Sequence, residues 1–446
     1  MRNLFSTVRQ IGEKLPDDLV RPADWGRRMA TLVAAVLIGL VALLFAEAGD
    51  MAQQAFLGLT ARASWLPLVL TPAVFMLCAW LTGKFALEAR GSGIPQVIAA
   101  SHHPDGVAER GLVSLRAGAA KLGLTVLALF GGASVGREGP TVQVGAAISV
   151  AAHRLFRVKV TPGVLIAGGA AGVAAAFNTP LAGIAFAIEE LAIAYEQRVA
   201  VLAMGAVMIA GLTSQGIAGD YVYFGTMHAD LPFTSLLVAA PVAGVVGGIC
   251  GGLFSHVFML LRGPGGRWTS LLRRRPVLTS GLCGIVVAAI GYATAGATWG
   301  TGYEPTKALL AGETGELWFG PAKFLATLAT SASAIPGGIF APSLSIGAGV
   351  GQWLTPFFPP EQAGAVVLLG MVAYFVGVVR APLTAVIILA ETTSSTGMIL
   401  PLFATALIAD WAGGMVFKKR LYHTLAQGFM PEKPAAEPEP AQGKDT

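Results

Sequence analysis

Residues 136–146 read GREGPTVQVGA, and residues 338–348 read GIFAPSLSIGA. The two stretches share a Gly, Pro, hydroxyl, Gly-Ala skeleton at an offset of 202 residues. The same offset joins Lys121 to Lys323, Gly168 to Gly370, Pro180 to Pro382, Leu181 to Leu383 and Glu189 to Glu391. NTPLAGIAFAIEE at 178–190 therefore aligns with RAPLTAVIILAE at 380–391. One spacing held over so many places argues for two halves of common architecture. Upstream, GSG at 91–93 resembles GTG at 300–302 with a slightly larger offset, as a change in loop length would give.

In each quoted stretch glycines precede a proline that opens a long apolar segment. Proline suits the first helical turn and glycine lets the preceding backbone turn tightly, so each stretch predicts a helix N-terminus. Composition says where those helices start. The chain has 446 residues, 54% hydrophobic and only 12% charged, with a mean hydropathy of +0.67. Soluble domains carry roughly 25% charged residues. Apolar runs at 29–48, 199–218 and 276–296 reach the roughly 20 residues that cross a bilayer. The first run follows a polar stretch too long for a signal peptide, which predicts a retained span. The expected fold class is all-α, a polytopic membrane protein of tilted and broken helices. Cys78, Cys250 and Cys283 sit in apolar runs without metal-ligand spacing and read as buried thiols.

The net charge of +5 is informative by position. Arg2, Arg9, Lys14, Arg21, Arg27 and Arg28 precede the first span, and Lys418, Lys419 and Arg420 follow the last, which predicts cytoplasmic termini. The connection near 219–232 carries only Asp220 and Asp230 and is expected outside; Arg262, Arg267, Arg273, Arg274 and Arg275 crowd one short loop, expected inside. The first half thus enters the membrane from the basic side and the second, near 233, from the acidic side, so the repeats are inverted. Inverted repeats with interrupted helices are a transporter architecture whose substrate site lies near mid-membrane. The expected organisation is a cytoplasmic segment at 1–27, with Leu4, Val8, Ile11 and Leu15 at amphipathic helical spacing. Repeat 1 follows at 28–218, repeat 2 at 233–426, and a disordered Pro/Glu/Ala-rich tail at 427–446.

A helix that starts inside a membrane has free N–H groups and the positive end of its dipole to satisfy, and lipid offers no partner. A small anion is the natural one. The alternative for any single motif is a packed kink, but GSGIP, GREGP and GGIFAP together favour an ion site. No GxxxxGK[ST] loop follows a strand, so a phosphate loop is a poor rival. Glu138 stands where an anion would sit; ionised it competes for the site, and protonated it leaves, which would couple anions to protons. The alternative for Glu138 is a carboxylate paired structurally with Arg137, which reads otherwise as a structural counter-charge facing an aqueous vestibule. Glu189 has a repeat mate in Glu391 and reads as structural, whereas Glu190 has none and is a candidate second proton station, with a solvated helix end as the alternative. Lys121 is a candidate to neutralise either acid. Tyr422, in KKRLYHTL, reads by itself as an interfacial anchor. Without an HExxH pair, the sequence points away from an enzyme.

GSGIP, GREGP and GGIFAP in this order, with a late tyrosine, resemble the CLC family of chloride channels and chloride/proton antiporters, over about residues 28–426. The resemblance implies that chloride is bound by Ser92, by the amides of Ile339 and Phe340 at the helix start after Gly338, and by the hydroxyl of Tyr422, with Arg137 counted in the anion site. It makes Glu138 the external gate and Glu190 the internal proton station. An acid at that second place favours chloride/proton antiport over a passive voltage- or pH-gated channel, the alternative. Gln96 departs from the pattern, since relatives often carry an acid directly after GSGIP. The resemblance further implies a homodimer with one pore per subunit in the lipid of a bacterial inner membrane, chloride and protons as substrates, and neither cofactor nor nucleic acid.

Overall fold

The computed structural model describes residues 22–102, 111–191, 197–219, 222–227, 231–264 and 268–430. The amphipathic segment at Leu4–Leu15, Asp220 and Asp230, and the tail from 431 lie outside the described residues. Repeat 1 runs through α1 (Pro22–Arg62), α2 (Pro67–Phe85), α3 (Ile94–His102), α4 (Leu115–Phe130), α5 (Glu138–Leu155), α6 (Pro162–Phe177), α7 (Pro180–Phe186) and α8 (Gln197–Ala218). Repeat 2 begins with α9 (Phe233–Arg262), and a short α10 (Thr269–Arg274) without a mate precedes α11 (Pro276–Ala293). It continues through α12 (Tyr303–Leu310), α13 (Phe319–Ser333), α14 (Phe340–Gln352), α15 (Ala363–Val379), α16 (Pro382–Thr393) and α17 (Ile399–Val416). A short α18 (Leu421–Ala426) follows. Six helices among the described residues are long and apolar enough to cross a membrane.

The repeat is visible in the backbone. Helices α5 and α14 both start at the quoted motifs, and α7 and α16 both start at the prolines of the repeat. Just before those prolines, Asn178 (φ 57°) and its mate Arg380 (φ 66°) end α6 and α15 in the left-handed conformation. A left-handed residue followed two positions on by proline stops one helix and starts the next. Helix α15 is buried along almost its whole length, as is α6. A helix that is apolar all round belongs in the interior, so these mates form the core around which the longer spans pack.

Close approach of paired helices rests on repeat-related glycines. A Cβ on Gly145 of α5 would strike the backbone of Gly168 on α6, and a Cβ on Gly347 of α14 would strike Gly370 and Met371 on α15. The same small-residue contact therefore seats both broken helices against the core. Apolar side chains such as Leu44, Leu237 and Leu407 stay exposed on the outer spans, a surface suited to lipid.

Helix α1 begins at Pro22, so residues 22–27 are helical and continuous with the first long apolar helix. Two expectations are corrected. The ordered chain also runs past 427: residues 427–429 form a 3-10 turn, and the Arg90 guanidinium lies 5.0 Å from the Phe429 ring centroid. Of the cysteines only Cys78 is buried, while Cys250 and Cys283 are half-buried, because they sit on faces of α9 and α11 that turn partly outward.

Candidate anion site and its proton-bearing side chains

The three interrupted motifs meet. Gly136 and its mate Gly338 form an isolated antiparallel bridge, with Gly136 N–H donating to the Gly338 carbonyl at 2.7 Å and Gly338 N–H to the Gly136 carbonyl at 2.9 Å. Gly337 N–H donates to the Gly91 carbonyl at 3.1 Å, tying in GSGIP. Because the bridged residues are repeat mates, a pseudo-two-fold axis passes between them. The starts of α5 and α14 are thereby aimed at one region within the buried core.

Helix α14 opens there without a side-chain cap at Ile339. Its first amides precede any intrahelical acceptor, and Phe340 is fully buried. One donor is taken: Ala341 N–H reaches Glu138 Oε2 at 3.4 Å. Glu138, itself the first residue of α5, is 1% exposed, so its carboxylate rests on the N-terminus of the partner repeat's helix. The place is made by Gly136, where a Cβ would collide with that same Oε2.

On the other side lies a cavity of about 350 Å³ lined by Ser92, Gly337, Ile339, Tyr422 and Phe429 among others. Ser92 Oγ and Tyr422 Oη are buried and have no hydrogen-bond partner. Tyr422 is held with its ring 5.9 Å from that of Phe340, and the burial of its whole side chain excludes the interfacial-anchor reading. Two orphaned hydroxyls and the free start of a helix converge on a cavity whose lining also includes Arg90 and Arg262. That donor set fits a small, partly desolvated anion.

Arg137 is committed elsewhere. Its Nη1 pairs with Asp50 at 2.8 Å and donates to the Ala46 carbonyl at 2.6 Å, both on α1. The expectation of Arg137 as an anion ligand is therefore corrected in favour of the counter-charge reading. Asp50, 87 positions away, carries no sequence signal for this role.

Glu189 and Glu391 cap each other's repeat. Glu189 accepts from Leu383 N–H at 3.1 Å and from Thr384 N–H at 2.7 Å; Glu391 accepts from Leu181 N–H at 3.1 Å and Ala182 N–H at 2.8 Å. The structural reading of this pair stands, and the exchange is reciprocal about the same axis. Glu190 differs. It lies in a π-helical turn at Ala187–Leu191, is fully buried, and neither carboxylate oxygen has a hydrogen-bond partner. A solvated helix end is thus ruled out. Its neighbour is His423, whose Nε2 is 3.0 Å from the Glu190 carbonyl oxygen and 3.8 Å from Oε1. Sequence reading passed over His423, although it directly follows Tyr422.

Lys121 neutralises neither acid. Its ammonium donates to the Gly91 carbonyl at 2.7 Å and the Arg90 carbonyl at 3.4 Å. Its mate Lys323 does the same to Gly300 at 2.8 Å and Thr298 at 2.9 Å. The shared lysines therefore clamp the GSG and GTG loops. Gln96 completes the first clamp by donating to the Arg90 carbonyl at 2.7 Å and the Glu88 carbonyl at 3.1 Å, so its neutral amide acts on the loop backbone.

Residues 73–414 match the family model described as voltage gated chloride channel. The chain is 32% identical to the H(+)/Cl(-) exchange transporter ClcA of Yersinia pestis, over 92% of each chain. It is also 32% identical to the ClcA of Vibrio cholerae serotype O1, over 89% of each. Among solved structures it is similar to a slow cyanobacterial Cl-/H+ antiporter, with a TM-score of 0.76 and 27% identity over 90% of this chain and 98% of that one.

Proposed function

The chain belongs to the voltage gated chloride channel family, and from that premise we propose that it is a secondary active transporter exchanging chloride for protons. We propose further that Glu138 competes with the anion and Glu190 passes protons on the inner side. The observation that carries the reading is the Glu138 carboxylate lying on the Ala341 amide at the start of α14, beside a cavity where Ser92 and Tyr422 offer unpartnered hydroxyls. Chloride is held by those hydroxyls and by the amides of Ile339 and Phe340 following Gly338. When Glu138 takes up a proton it loses the charge that suits the helix start, and chloride replaces it. When it releases the proton the carboxylate returns and expels the anion. Each cycle of the side chain thus moves one species against the other. Arg137, fixed by Asp50, sets the field at the outer approach.

The subunit is proposed to lie in a bacterial inner membrane with cytoplasmic termini and to pair as a homodimer, each copy with its own site. Support comes from the basic flanks and from apolar side chains exposed on α7, α8 and α17, such as Leu181, Leu212 and Leu400. A monomeric mass in lipid nanodiscs would contradict the pairing. In proteoliposomes, an imposed chloride gradient is expected to drive protons uphill. Chloride flux with no accompanying proton movement would instead assign the chain to the passive channels of this fold.

A further inference from the structure

We propose that His423 is the inner proton-transfer residue, carrying protons between cytoplasmic water and Glu190; this rests on the reading of Glu190 as a proton station. A fully buried carboxylate with no hydrogen-bond partner can exchange protons only through a neighbouring donor. His423 is that neighbour, at 3.8 Å from Oε1, with its imidazole 32% exposed while Glu190 is 0% exposed. The ring therefore touches water on one side and the carboxylate on the other. Its present partner is the Glu190 carbonyl. A carbonyl only accepts, so Nε2 carries the hydrogen that faces the acid. A shift of under about 1 Å brings it within hydrogen-bond distance of Oε1.

The surrounding charges suit the task. Arg420 holds the Glu189 carbonyl at 2.9 Å, and the Glu189 carboxylate is occupied by the start of α16. From α3, His102 is tied to the Ile98 carbonyl at 2.8 Å, and Arg90 stacks on Phe429. Helix α15 brings no charged side chain. No other acid or base stands between Glu190 and water among these described groups. Neither Glu190 nor His423 lines the cavity that holds Ser92 and Tyr422. The step balances simply. Imidazolium gives its Nε2 proton to the Glu190 carboxylate, leaving neutral imidazole and a carboxylic acid; the exposed ring then turns outward and takes a proton from hydronium or a buffer acid.

The test is simultaneous chloride and proton flux in proteoliposomes for His423→Gln, His423→Ala and Glu190→Gln. Retained chloride flux reports that each variant is folded. Both histidine variants are expected to lose proton flux by about tenfold or more, and imidazole added on the inner side is expected to restore it in His423→Ala. Wild-type proton flux in both histidine variants, with Glu190→Gln uncoupled, would overturn the relay and leave the Glu190 reading standing. Lost proton flux that imidazole does not restore would overturn it as well, assigning His423 a packing role. Unchanged proton flux in Glu190→Gln would remove the premise and the relay together.

Discussion

Gly136 and Glu138 show how little room the gate has. The carboxylate lies where a Cβ on Gly136 would be, and that Cβ would also come 3.2 Å from Ala341 N and Pro342 Cδ. Gly136→Ala is therefore expected to push the carboxylate off the α14 amide without altering its chemistry. In flux measurements this variant should pass chloride with weakened proton coupling, whereas wild-type coupling would mean that the gate does not rest against Gly136. Glu138→Gln removes the titrating group itself and is expected to abolish proton movement while chloride still passes; chloride flux that stays strictly proton-coupled would defeat the gate assignment. The place of Glu138 at a helix start was legible from GREGP, because glycine and proline mark that start locally. The partners Asp50 and His423 were not, since contacts between residues 87 and 233 positions apart leave no local pattern.

Among the helices, the exchanged caps of α7 and α16 tie one half to the other. Each carboxylate satisfies two backbone donors at a helix start of the other repeat, which is where a negative charge is most favourable. Glu391→Ala and Glu189→Ala are each expected to cost about 1–2 kcal/mol of stability, read as a lower unfolding midpoint in detergent. An unchanged midpoint in both would make the caps incidental. The offset of 202 residues predicted that Glu189 and Glu391 correspond, but their crossing over could be seen only once the pseudo-two-fold axis was in place. Lys121 illustrates the converse. Its repeat mate Lys323 makes the same kind of contact, so the shared lysine was bound to serve the shared loop, not the unshared Glu190.

Over the whole molecule, inversion does the work that no single motif could. Bringing Gly136 against Gly338 points two helix starts at one another inside an apolar core, so that the carboxylate of one repeat can occupy the helix start of the other. Charge asymmetry and the constant offset made the inversion readable in the sequence, since both are global patterns that survive local divergence. The convergence of GSGIP and the placement of Tyr422 beside it depend on tertiary packing, and Tyr422 read locally would have been left at the membrane surface. The central claim is that backbone amides at the start of α14, with Ser92 and Tyr422, hold a halide that Glu138 displaces. Anomalous diffraction from crystals of the wild type and of Glu138→Gln soaked in bromide tests it most directly. A peak beside Ile339, Phe340, Ser92 and Tyr422 in both, with a further peak near the Ala341 amide only in Glu138→Gln, is the predicted result; no bromide at these groups in either crystal would contradict it.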